Sequence, residues 1–212
     1  GWLRVPVSYM VELLAAIPSV VYGLWGVFVL GPWIQHAAGP VILDYFGWLP
    51  FVQGPALNVG ILSAVLILTI MILPTIIAIS RDVLAAVPRS QREAVLALGA
   101  TRWETIRIAV LPYARSGILG AAILGLARAI GETLAVALVI GNSTSVPDSI
   151  FSPAYTMASV IANQFREVEN SMHQAALVYI ALLLLVITLL VNAIARALVW
   201  RVTRGQITTV VE

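Results

Sequence analysis

LNVGILSAVLILTIMILPTIIAIS, residues 57–80, runs without one charged side chain. A helix rises 1.5 Å per residue, so this stretch reaches about 36 Å and can cross a hydrocarbon core of about 30 Å. Three further apolar stretches have spanning length: Tyr9 to Leu30, Gly117 to Gly141 and Ala175 to Trp200. Backbone polar groups in lipid must be satisfied within the segment, so these stretches are read as helices. The composition agrees: 60% of residues are apolar and 10% charged, with a mean hydropathy of +0.98, far from the balance of a soluble domain. The expected fold is an all-α membrane protein, a multispan helical bundle, with residues 1–212 forming a single transmembrane domain.

Charge gives the orientation. Arg81, Arg89, Arg92, Arg102, Arg107 and Arg115 fall in the connection 81–116, whereas Gly31 to Ala56 holds no arginine and Asn142 to Gln174 holds only Arg166. The positive-inside rule places 81–116 in the cytoplasm. Arg4, Arg201 and Arg204 place both termini on the same side, as an even number of spans requires. Trp33, Tyr45, Phe46, Trp48 and Phe51 suit lipid headgroups, so Gly31 to Ala56 is expected along the outer interface. Pro18 and Pro74 predict kinks in the first two spans. Ser8 is positioned to cap the first span, with Glu12 one turn in.

Between the second and third spans lies PRSQREAVLALGATRWETIRIAVLP, residues 88–112, a charged island with helical spacing of Ala94, Val95 and Leu98. Ser90 with Glu93, and Thr101 with Glu104, have the spacing of capping boxes that start two short helices. Gly99 is placed to end the first and Pro112 to break the second. Such an island in an apolar chain offers a docking surface to a soluble partner. All twelve basic residues are arginine, and a chain without lysine cannot contain the GxxxxGK[ST] phosphate loop. If ATP drives this protein, another chain binds it.

Glu93-Ala94, Gly99 and Leu111-Pro112 at this spacing resemble the EAA loop of permease subunits from ATP-binding-cassette importers. Val95 departs from the second alanine of that motif, and Ala109 from its usual isoleucine; both stay apolar. ELLAAIPSVVYGLWG, LPYARSGI and ARAIGETLAVALVIGN are similar to the phosphate-specific importers, within them the PstC-type permease subunit. The resemblance implies that Glu93, Ala94, Gly99, Leu111 and Pro112 couple the spans to an ATPase, which would bind ATP and Mg; this chain would hold no cofactor. It also implies a second permease subunit forming a heterodimer, an extracytoplasmic phosphate-binding protein, and a bacterial inner membrane. Such permeases have additional spans ahead of this region, so a chain starting at Gly1 without an initiator Met is expected to be N-terminally truncated.

Arg128 and Glu132 fall near the middle of the third span, where each charge costs roughly 2.5–3.5 kcal/mol on insertion scales and marks function by default. Their i, i+4 spacing allows a pair on one helix face. Gly117, Ala121, Gly125, Ala129 and Thr133 form a small-residue stripe that permits close helix approach. By the resemblance, Arg128 and Glu132 line the phosphate pathway: the guanidinium fork matches phosphate oxygens, and the carboxylate keeps the arginine from trapping the anion. Thr133 joins that pathway; its hydroxyl, like the amide of Asn142, also suits helix packing, and Glu12, an interfacial acid near the inner mouth, stays outside the core site. A structural ion pair is the plainer reading of Arg128 and Glu132.

His36 and His173 lack the ligand spacing of a metal site. No hydrolase motif occurs, the chain has no cysteine, and arginines flanking spans do not make a nucleic-acid face. An importer permease therefore stands beside three alternatives: the same architecture for another solute, a secondary transporter using Arg128 and Glu132 as a proton-linked pair, and a non-transporting scaffold. Inverted repeats, common in secondary transporters, are not evident.

Overall fold

The computed structural model describes residues 4–207. Helix α1 covers Arg4–Ala16, α2 Ser19–Phe46, α3 Ile61–Ala85 and α4 Arg89–Ala97. Helix α5 covers Arg102–Gly131, α6 Leu134–Val139, α7 Met157–Gln164 and α8 Ser171–Ile207. Helices α2, α3, α5 and the Ser171–Arg201 part of α8 are long and apolar enough to cross a membrane. Among the described residues no strand forms; Gly141 and Ala154 make an isolated bridge.

The helix limits differ from the sequence expectation in three places. Tyr9 to Leu30 is two helices, because α1 stops at Ala16 and Pro18 takes φ −58°, ψ 140°. Proline lacks the N–H that would continue the ladder, and it disfavours helical geometry in the residue before it. Ser8 consequently lies inside α1 instead of capping a span. Pro74, by contrast, sits within a continuous α3. The connection expected from Gly31 is helical as far as Phe46. The third crossing begins at Arg102 and ends at Gly131, upstream of the expected 117–141.

Three prolines are accommodated by one device. Five-residue wide turns at Gly26–Leu30, Ile34–Ala38 and Ile106–Val110 stand just ahead of Pro32, Pro40 and Pro112. In each, the next amide reaches back five residues: Gly31 N–H to Gly26 O, Gly39 N–H to Ile34 O, Leu111 N–H to Ile106 O. A proline ring collides with the carbonyl four residues earlier in a regular helix, and an i→i+5 turn moves that carbonyl aside. Leu111-Pro112, read from sequence as a breaker, therefore lies within a helix, as do the Gly-Pro pairs at 31–32 and 39–40.

The chain forms two compact units. One gathers the residues up to Ala15 with Ile72–Arg128 and α8 from Leu189 onward. There α5 packs on α3 through its small residues: a Cβ on Gly125 would lie 2.7 Å from Ile76 Cδ1, and one on Gly117 would overlap Val83. Ala121 of the same stripe is buried. Val87, Val110 and Ala114 are buried together against Val83, Leu84 and Ile118.

The other unit comprises Ala16–Met71 and Ala129–Thr188. Gly23 and Gly26 let α2 close on α6, where added Cβ atoms would lie 3.0 Å from Ala135 Cα and 2.6 Å from Val139 Cγ1. A segment centred on Phe151, which is 2% exposed, folds into this core. It caps α3: Leu62 N–H donates to Ile150 O at 2.8 Å and Ile61 N–H to Ser152 O at 3.2 Å. Gly60 N–H adds a bond to Val139 O at 2.9 Å. Amides at a helix start have no partner within the helix, and here neighbouring backbone supplies them.

Candidate functional site

The island 88–112 forms two helical pieces meeting at Gly99. Helix α4 starts directly after Pro88, which takes φ −55°, ψ 139° and supplies no side-chain cap. Ser90 thus lies in the first turn, and the expected Ser90–Glu93 capping box does not form: proline's fixed φ has already set the helix start one residue earlier. The second box does form. Glu104 N–H donates to Thr101 Oγ1 at 3.3 Å, and Thr101 N–H donates to Glu104 Oε2 at 2.7 Å. Between them, α4 ends at Ala97 and Gly99 takes φ +85°, donating its N–H to Leu96 O at 3.0 Å. This left-handed position is where glycine avoids the penalty a Cβ would bring. Pro112 does not break the second helix; the wide turn ahead of it lets α5 run on to Gly131.

No residue of α4 is buried. Glu93, Ala94, Gly99, Leu111 and Pro112 are all exposed, and beside them stand Leu98, 87% exposed, and Trp103, 70% exposed. A helix that buries nothing needs another tether. Arg92 provides one, its Nη2 donating to Leu84 O at 2.7 Å in the last turn of α3. A guanidinium there meets a carbonyl left over at the helix end and the negative end of the helix dipole.

The intramembrane residues are arranged differently from expectation. Arg128 is exposed in the last turn of α5, and its Nη1 donates to Thr75 Oγ1 of α3 at 3.2 Å. Its remaining guanidinium donors have no partner among the described residues, so two oxygens of an oxyanion could be bound by them. Glu132 is not on the same helix face, because α5 ends at Gly131 between the two residues. Its Oε1 accepts from Ala135 N–H at 3.1 Å, covering the first turn of α6. Thr133 lies in the break with φ −111°, ψ −57°, and its Oγ1 donates to Gly131 O at 3.3 Å. The small-residue stripe accordingly stops before Thr133. Asn142, at φ +48°, donates from Nδ2 to Ala137 O at 2.7 Å and closes the other end of α6.

Two contacts lie outside what the sequence reading reaches. Thr75 is a hydroxyl directly after Pro74 in a mostly apolar span, which is the one signal available for it. Arg81, at the end of α3, pairs through Nη2 with Glu12 of α1 at 3.2 Å and through Nε with Asp82 at 3.2 Å. Nothing in the spacing announces a pair 69 positions apart.

Broken and capped helices, small-residue packing and an exposed helical island anchored to a spanning helix are features of transport proteins. The profile of the family described as binding-protein-dependent transport system inner membrane component matches residues 1–204. The chain belongs to this family. It is an all-α, multi-pass membrane permease. Its relatives include three proteins called phosphate transport system permease protein PstC. That of Haemophilus influenzae is 43% identical over 97% of this chain and 67% of its own length. That of Xylella fastidiosa strain 9a5c is 45% identical over 97% of this chain and 64% of its own. That of Mesorhizobium japonicum is 44% identical over 94% of this chain and 62% of its own. The chain thus spans about two thirds of the length of these permeases. No solved structure matches it.

Proposed function

We propose that this permease chain forms part of the translocation pathway of an ATP-driven phosphate importer, working by alternating access. The observation that carries the reading is α4: an exposed helix with no buried residue, held to the end of a spanning helix by Arg92. That arrangement suits a lever gripped by a soluble ATPase. Glu93, Ala94, Gly99, Leu111 and Pro112 belong to the surface it would grip. The ATPase binds ATP and Mg, since this chain has no lysine for a phosphate loop. A second permease subunit completes the pathway, and an extracytoplasmic binding protein delivers phosphate. The arginine-rich connection faces the cytoplasm of a bacterial inner membrane, with both described ends on that side.

Phosphate as cargo is supported by the names of the relatives and by Arg128. Its guanidinium is held at one point by Thr75, and the other donors can meet phosphate oxygens. The hold is loose enough for release, as a pathway demands. Glu132 contributes by fixing the start of α6, and Thr133 by shaping the break next to it. The test is ATP hydrolysis and solute uptake by the complete complex reconstituted with its binding protein. Phosphate is expected to stimulate both, and molybdate and sulfate neither; equal stimulation by the other oxyanions overturns the cargo assignment.

A further inference from the structure

We infer that Glu12 and Arg81 form a latch that makes α1 follow the coupling helix; this rests on the importer reading above. The contacts make a continuous strap within one compact unit. Arg92 of α4 holds Leu84 O, Arg81 lies about one turn earlier on the same helix, and its Nη2 holds Glu12 of α1 at 3.2 Å. An open cleft of about 620 Å³ lies among α3, α4 and α5, lined by Ser80, Leu84, Arg92 and Ile106 among others. Across such a gap the Arg92 bond, more than close packing, joins α4 to the end of α3. Beyond Glu12 the chain reaches the break at Pro18, where the ladder of α1 ends.

The latch has two accessible states. Arg81 uses separate nitrogens for Glu12 and for Asp82, the latter its neighbour on α3. When Glu12 lets go, Arg81 keeps a carboxylate through Nε. The Glu12 side chain is 55% exposed, so it can exchange the pair for water. Ion pairs with that exposure are weak, which suits a contact made and broken in each cycle. Asp82 keeps Arg81 partnered on α3 while Glu12 is released.

The experiment uses the complete complex with its ATPase, second permease and phosphate-binding protein, and measures ATPase co-purification, ATP hydrolysis and phosphate moved per ATP. Glu12→Gln and Arg81→Gln are expected to leave ATPase binding intact and to lower phosphate moved per ATP by about fivefold or more, the lower range of coupling between sites. The swap Glu12→Arg with Arg81→Glu, which lets the new arginine face two carboxylates, is expected to restore most of the stoichiometry. Wild-type stoichiometry in both single variants overturns the latch, as does loss of ATPase binding in them, and so does a swap no better than its parents. Absence of phosphate-dependent hydrolysis in the wild-type complex instead sinks the importer reading.

Discussion

Arg128 Nη1 and Thr75 Oγ1 meet at 3.2 Å across 53 positions of sequence, joining the last turn of α5 to α3 one residue beyond Pro74. The bond fixes one edge of the guanidinium and leaves the other donors to an anion. Removing the arginine and removing its anchor should therefore have different effects. Arg128→Gln is expected to abolish phosphate uptake in membrane vesicles while the complex still assembles with its ATPase. Thr75→Val should raise the KM for phosphate by about fivefold, from the roughly 1 kcal/mol that a hydrogen bond contributes net, with ATPase binding unchanged. Normal uptake by Arg128→Gln would remove it from the pathway.

Gly99 has φ +85°, and a Cβ added there would meet no atom within 4 Å, so a substitution brings backbone strain and not a clash. Gly99→Val should cost roughly 1–2 kcal/mol locally, the penalty of a left-handed residue with a Cβ. The helix α4 would be re-aimed at its C-terminal end. ATP hydrolysis uncoupled from phosphate uptake is the expected result in proteoliposomes; a wild-type ratio of phosphate to ATP would count against the lever.

Leu98 is the most exposed apolar side chain at the same corner. Since it packs on little within the chain, Leu98→Glu should leave the thermal midpoint of the purified permease unchanged. Its expected effect is on partner capture, a loss of about tenfold in ATPase affinity if Leu98 is a principal contact. Quantitative co-purification reads this directly, and unchanged capture would place the docking face elsewhere on α4.

Phe151 tests the other unit. It is 2% exposed in the segment whose carbonyls cap α3. Phe151→Ala should destabilise by about 3–5 kcal/mol, the usual cost of truncating a buried aromatic ring. A lowered thermal midpoint in detergent, with uptake recovering at reduced temperature, is expected; no shift would mean that the segment can rearrange without loss.

Hydropathy alone reveals the four crossings, because a run such as Leu57 to Ser80 has only one way to satisfy its backbone in lipid. The ends of those crossings are hidden. Pro18 reads as a kink but separates two helices, whereas Pro112 reads as a breaker and lies inside a helix, as Pro32 and Pro40 also do. The outcome depends on whether the five residues ahead can widen, and that is decided by packing. The coupling island is legible at Thr101, Glu104 and Gly99, where local backbone chemistry fixes the conformation. It misleads at Ser90, where the preceding proline sets the start. Arg128 stands out by its charge in an apolar span, yet its partner is Thr75, and Glu132 faces the first turn of α6. Spacing of four residues implies a shared face only while the helix lasts.

The wide turn at Ile106–Val110 carries one more residue than a regular turn would. Each residue of a helix advances the side-chain direction by about 100°. The turn therefore sets the phase between Trp103, beside the coupling corner, and Arg128, about seven turns along the same helix. Losing one residue there would leave the apolar content and length of the span almost unaltered, yet would point Arg128 away from Thr75.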